Sequence, residues 1–149
     1  TVQKQVIALL NELREKLGFA MVFVSHDLAL VAEVAHKITV MYAGQVVEQS
    51  PTSELLEHPV HEYTRGLLGA VLSIESGSGR LHQVPGTVPS PKDFPVGDRF
   101  APRSSHPDYG TDIPLELELV GPEHVYAALP DKEGVYKRAP RYNASGKED

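Results

Sequence analysis

The residues best placed to do chemistry are Ser25-His26-Asp27, which follow directly on the apolar run Ala20-Met21-Val22-Phe23-Val24. Of the three side chains, the imidazole is the one whose type ionises near neutral pH, and it can donate from one nitrogen while the other bonds elsewhere. A continuous apolar run with two β-branched residues predicts a strand over Ala20–Ser25 buried on both faces, as in the parallel sheet of an α/β protein. Ligands of such sheets gather beyond the carboxyl ends of the strands, where His26 would stand. The same place also suits a histidine that merely satisfies a hydrogen bond at a strand terminus, and spacing alone leaves both readings open.

The elements that must hold this segment are legible on either side of it. Val2, Val6, Leu9, Leu10, Leu13 and Leu17 recur at helical spacing with polar residues between them, so an amphipathic helix of about four turns precedes it, ended by Gly18. Asp27 is a cap for a second, mostly buried helix from Leu28 to about Ala35. Lys37–Tyr42 and Gln45–Gln49 read as strands joined through Ala43-Gly44 into a β-hairpin. Thr52-Ser53 offers a hydroxyl cap to a helix beginning at Glu54-Leu55-Leu56, and His61 to about Leu72 forms another amphipathic helix.

Composition changes near Ser73. The run Ser73-Ile74-Glu75-Ser76-Gly77-Ser78-Gly79 reads as a flexible linker. Ten of the 12 prolines lie after it, seven of them between Pro85 and Pro114, so that stretch should be extended and turn-rich. Leu115–Leu119 alternates with period two, Gly121-Pro122-Glu123 turns, and His124–Leu129 returns as its partner strand. From Pro130 onward little apolar content remains and a loose tail is expected.

The chain has 149 residues, 41% of them hydrophobic, a formal net charge of −6 and no cysteine. The acidic balance argues against a nucleic-acid partner, which needs a basic face. Without cysteine there are no disulfides, thiolate nucleophiles or cysteine-ligated metal sites. No window approaches the ~18 apolar residues of a transmembrane helix, and the start carries no signal-peptide pattern. A chain that opens on Thr1 in mid-pattern looks like a fragment. His58, His61, His82, His106 and His124 fit no compact ligand spacing, so no metal site is expected. Arg99, Arg103, Lys137, Arg138 and Arg141 are interleaved with acids and read as solvated surface.

Taken in order, Val22-Phe23-Val24-Ser25-His26-Asp27-Leu28, Ile38-Thr39-Val40-Met41-Tyr42-Ala43-Gly44 and Val47-Glu48 resemble the last third of an ABC-transporter ATPase. His58-Pro59-Val60-His61-Glu62-Tyr63-Thr64-Arg65-Gly66-Leu67-Leu68 narrows the resemblance to the ATPase subunits of oligopeptide and dipeptide importers. Pro85-Gly86-Thr87-Val88-Pro89-Ser90-Pro91 and Gly97-Asp98-Arg99-Phe100-Ala101-Pro102-Arg103 are similar to that subfamily's C-terminal extension. The implied fold is α/β: an incomplete P-loop (RecA-like) ABC ATPase core lacking its N-terminal half, then a small proline-rich, mostly β or irregular extension. The implied division is 1–72 for the core part, 73–84 for the linker, 85–129 for the extension and 130–149 for the tail.

The resemblance implies that His26 is the switch-loop histidine, which contacts the γ-phosphate of ATP. It also implies ATP and Mg2+ as ligands of the intact protein, a second ATPase subunit and integral membrane permease subunits as partners, and a peripheral place on the cytoplasmic face of the membrane. The helix and hairpin from Leu28 to Gln49 would support His26, while Ser25 and Asp27 shape its loop. No G-x-x-x-x-G-K-[ST] occurs, and the signature motif, magnesium-site aspartate and glutamate base are also missing, so this stretch alone should neither hold ATP tightly nor hydrolyse it. Many members of the subfamily carry cysteines in the extension, some of which ligate an iron–sulfur cluster. Here Asp98, Ser104 and Ala127 or Ala128 stand at those positions, and no cluster is expected. A non-catalytic module that binds intact ATPase subunits is the competing expectation.

Overall fold

The computed structural model describes residues 2–75, 84–107 and 110–128. The tail from 130 onward, most of the glycine–serine linker and His82 lie outside the described residues. Helix α1 (Val2–Leu17) ends where Gly18 adopts a φ of 68° and donates its N–H to the Arg14 carbonyl, a left-handed cap. Helix α2 (Leu28–Val34) is capped by Asp27, whose carboxylate accepts from Leu30 N at 3.1 Å. Only Leu30 of α2 is fully buried, so this helix is half covered rather than mostly enclosed.

Strands β1 (Lys37–Tyr42) and β2 (Gln45–Pro51) form the expected hairpin. Its two turn residues, Ala43 and Gly44, both take positive φ, the geometry that matches the twist of paired strands. Helix α3 (Thr52–Glu57) starts without a side-chain cap: Thr52 Oγ1 donates instead to the Ala35 carbonyl and Thr52 N to the His36 carbonyl, tying α3 to the end of α2. Helix α4 (Glu62–Glu75) runs three residues past Leu72, so part of the expected linker is helical. Among its described residues the proline-rich stretch contains two short 3-10 turns, Pro91–Asp93 and Ala101–Arg103, and β3 (Glu116–Gly121) and β4 (His124–Ala128) make the second hairpin.

The two hairpins combine into one antiparallel sheet in the order β1-β2-β4-β3. Their junction is short, since β2 and β4 pair only at Glu48↔Tyr126 and Gln49↔Val125. A bulge at Val47 lets two consecutive residues, Val47 and Glu48, both reach the buried side. Ile38, Val40, Tyr42 and Val47 form the core there with Leu55 of α3 and Phe100 from the proline-rich stretch.

A fully buried carboxylate stands at the junction. Glu48 is 0% exposed and accepts from Val60 N at 2.8 Å, His61 N at 3.0 Å and His124 Nε2 at 2.6 Å, with His124 itself 1% exposed. Burial pushes the Glu48 carboxyl up, but the bond from His124 and those from the two amides outweigh it and hold it below the ordinary glutamate range. His61, buried beside it, goes the other way: desolvation lowers its imidazole from 6.5 to about 4, against the pull of Glu48 and Glu62.

Removing one partner of this buried carboxylate–imidazole hydrogen bond leaves the other unsatisfied away from water, so Glu48→Ala or His124→Ala should cost about 3 kcal/mol in urea unfolding. The double replacement Glu48→Leu with His124→Phe should cost less than the sum of the two single changes. Acid should also destabilise the fold. His61 stays neutral in the folded chain while the unfolded chain takes up a proton below about 6.5, so stability is lost as the pH falls from 6.5 towards 4, by about 3 kcal/mol at most. The depressed Glu48 adds to the loss at lower pH, whereas Asp98, raised by burial, opposes it. Urea midpoints between pH 7 and 4 should show this slope, and His61→Gln should flatten it.

Candidate functional site

The segment that carries His26 does not form the buried strand its composition predicts. Residues 19–25 have no regular structure, and Val22 and Val24 are 93% and 90% exposed. The physical reason is the lack of neighbours: an extended segment becomes a strand only when another strand takes up its N–H and C=O groups, and none does so among the described residues. The apolar stripe of α1 is likewise bare. Val2, Val6, Leu9, Leu13 and Leu17 are exposed, and α1 rests on α2 through the opposite side, where Ile7 is buried. Together with Phe19, these side chains make an apolar surface that leads up to His26.

The turn around His26 is well defined. Asp27 N donates to Ser25 Oγ at 3.0 Å, and Asp27 turns its carboxylate to Leu30 N and its carbonyl to Val31 N. Ser25 and Asp27 are therefore engaged within the loop, and His26 between them is exposed. An imidazole in this setting can donate one N–H to an anionic oxygen. Behind it, Leu28, Val31 and Ala35 pack against the core cluster of Ile38, Val40, Tyr42, Val47, Leu55 and Phe100.

The proline-rich stretch fastens to the β1–β2 hairpin that carries much of that cluster. Gln45 Nε2 donates to Gly97 O at 2.9 Å while its Oε1 accepts from Arg99 N at 3.0 Å. Arg99 Nη1 donates to Ala43 O, and its guanidinium lies over the Phe94 ring. Arg103 donates to the carbonyls of Pro85 and Val84 and reaches the Tyr42 hydroxyl. Neither arginine is the free surface charge that the interleaving with acids suggests; a guanidinium fork matches backbone carbonyls of a loop that has few amide partners of its own. Glu62 completes the attachment by accepting from Ser105 N and Oγ.

The positions that would have to ligate an iron–sulfur cluster do not fit one. Asp98 is buried with Oδ1 accepting from Phe100 N at 2.8 Å, Ser104 Oγ donates to Ala101 O at 2.8 Å, and Ala127 offers no ligand atom. Hard oxygens already engaged with the backbone are no substitute for thiolates. Among the described residues, no group of three or more His, Asp or Glu side chains is placed to hold a metal ion. His61 and His124 belong to the Glu48 cluster. That pairing escapes sequence reasoning because Glu48 and His124 lie 76 positions apart, and no periodic pattern links a strand glutamate to a distant histidine.

Comparison with known proteins bears on this arrangement. Residues 47–107 match the model for the oligopeptide/dipeptide transporter C-terminal region. The dipeptide transport ATP-binding protein DppD of Escherichia coli is 47% identical over 112 residues, 75% of this chain and 33% of that protein. The oligopeptide transport ATP-binding protein OppD of Bacillus subtilis is 43% identical over 119 residues, 79% of this chain and 32% of that protein. The DppD of Lactococcus lactis is 42% identical over 104 residues, 70% of this chain and 30% of that protein. The chain spans about a third of the length of these relatives. It therefore carries the C-terminal region of the oligopeptide/dipeptide transporter family and is similar to part of the ATP-binding proteins of peptide import.

Proposed function

We propose that this chain is part of an ATP-hydrolysing subunit that powers peptide import, and that His26 is its contact to the γ-phosphate of ATP. The observation that carries the reading is the exposed imidazole at the end of an apolar segment, held by the Ser25 and Asp27 turn at the head of α2. Phosphoryl transfer is chiefly positioning and charge stabilisation, so a single fixed donor has a defined role in it. Val22, Val24 and the α1 stripe are, in this reading, surface that the remaining ATP-binding core covers. That remainder supplies the phosphate cradle and the carboxylates that hold Mg2+.

The reading extends to the whole protein. It pairs with a second ATPase subunit, drives integral membrane permease subunits and lies at the cytoplasmic face of the membrane. Residues 1–72 are the core part, 73–84 the link and 85–129 the accessory extension. No described helix is long and apolar enough to cross a membrane. The same exposed apolar surface also supports a second reading, a non-catalytic module that docks on intact ATPase subunits. A reading frame continuing upstream of Thr1 through a phosphate loop and signature motif favours the enzyme, and a start codon there favours the module.

In the assembled ATPase, His26→Ala should lower ATP turnover more than tenfold at saturating ATP. A loss under about tenfold, or ~1.4 kcal/mol, is too small for the γ-phosphate contact and refutes the assignment. Residues 1–149 on their own should show no turnover above background.

A further inference from the structure

Helix α2 is suspended between two anchors. Its C-terminal end is tied by Thr52, which donates to the carbonyls of Ala35 and His36. Its underside, Leu28 and Val31, rests on the cluster that contains Phe100. Its first turn is capped by Asp27, the residue next to His26. Whatever sets the height and tilt of α2 therefore also sets where the His26 loop stands.

Phe100 is the one member of that cluster delivered by the proline-rich stretch rather than by β1, β2 or α3. It is 1% exposed and meets three rings edge-on or tilted: Tyr42 at 5.3 Å, Tyr63 at 5.4 Å and His61 at 5.5 Å between centroids. Its backbone is fixed as tightly as its ring. Phe100 N donates to Asp98 Oδ1, Ala101 N to Asp98 O and Arg103 N to Phe100 O. The loop behind it is set by close backbone packing: a Cβ on Gly97 would stand 2.2 Å from Gly110 O and 2.3 Å from Ile113 O. A loop fixed in this way thus inserts an aromatic ring into the same cluster on which α2 rests.

We propose that Phe100 is a positioning residue for His26: as a wedge held by the 84–107 segment it supports the cluster under α2, and α2 fixes the loop that bears the imidazole. The proposal rests on the reading that His26 contacts ATP. It gives the extension a part in ATP turnover without any direct contact to the nucleotide. Packed interiors transmit such displacements because they are close to crystalline density and have few voids to absorb them.

The test is a double-mutant cycle in the assembled ATPase, with Phe100→Leu, His26→Ala and both together. Phe100→Met serves where the leucine variant fails to fold. Phe100→Leu should lower kcat three- to tenfold with the KM for ATP changed less than twofold, and should add nothing to the loss caused by His26→Ala. Amide exchange at Leu30 and Val31, whose N–H groups Asp27 holds, should accelerate about tenfold in the Phe100 variant. An unchanged kcat, an equal fractional loss in both backgrounds, or unaltered exchange at Leu30 and Val31 overturns the proposal. If His26→Ala alone leaves turnover intact, it is the ATP-contact reading that fails, and the two failures are told apart by that single variant.

Discussion

A carboxylate removed from water is the constraint on which this structure turns. Glu48 has no solvent contact, and an uncompensated buried charge costs several kcal/mol, so its partners must all be present together. Those partners come from two places: the chain leading into α4 supplies the Val60 and His61 amides, and the second hairpin supplies His124. The strand pairing between β2 and β4 spans only two residue pairs, too few to specify register by backbone bonding alone. The Glu48–His124 hydrogen bond makes the difference, because sliding β4 along β2 by one residue would turn His124 to the other face of the sheet and strand Glu48.

Strand β2 is therefore the spine to which the later part of the chain attaches, at two separate points. At its start, Gln45 clasps the 97–99 loop with both ends of its amide, and Arg99 and Arg103 grip the hairpin turn and Tyr42. Further along, Glu48 draws in His124. The first attachment uses polar groups to fix a loop that, being proline-rich, has few backbone bonds of its own to make. The second uses a buried carboxylate–imidazole hydrogen bond to fix a hairpin whose Val120 and Tyr126 pack with Val60. Both leave Phe100 as the main apolar contribution of the proline-rich stretch to the common core.

What the sequence revealed and what it hid follow one division. Elements closed by local rules were legible: α1 with its Gly18 cap, Asp27 at the head of α2, the Ala43-Gly44 hairpin and the second hairpin through Gly121-Pro122-Glu123 all depend on residues within a few positions of one another. The misreadings concern long-range partners. Thr52 looked like a cap and instead donates to Ala35, Arg99 and Arg103 looked solvated and instead bind carbonyls, and the Glu48–His124 pair carried no signal. The run Ala20–Ser25 has a strand's composition, but composition does not provide a neighbour. Residue type and position single out His26 as a candidate, while the packing of α2 on a cluster that includes Phe100 has no counterpart in any local sequence pattern.

The apolar pattern that found no cover bears on where the chemistry lies. Val2, Val6, Leu9, Leu13, Leu17, Phe19, Val22 and Val24 stand exposed, and burying such a set is worth on the order of 10 kcal/mol, comparable with the net stability of an entire domain. A contiguous apolar surface of that extent is the material of an interface or of a larger core, not of an ordinary solvated face. It ends at Ser25, and the next residue is His26. The imidazole thus sits at the boundary between the exposed apolar segment and the packed cluster on which α2 rests. A group at that boundary is held from one side only, by α2 and the cluster of β1, β2 and α3 beneath it.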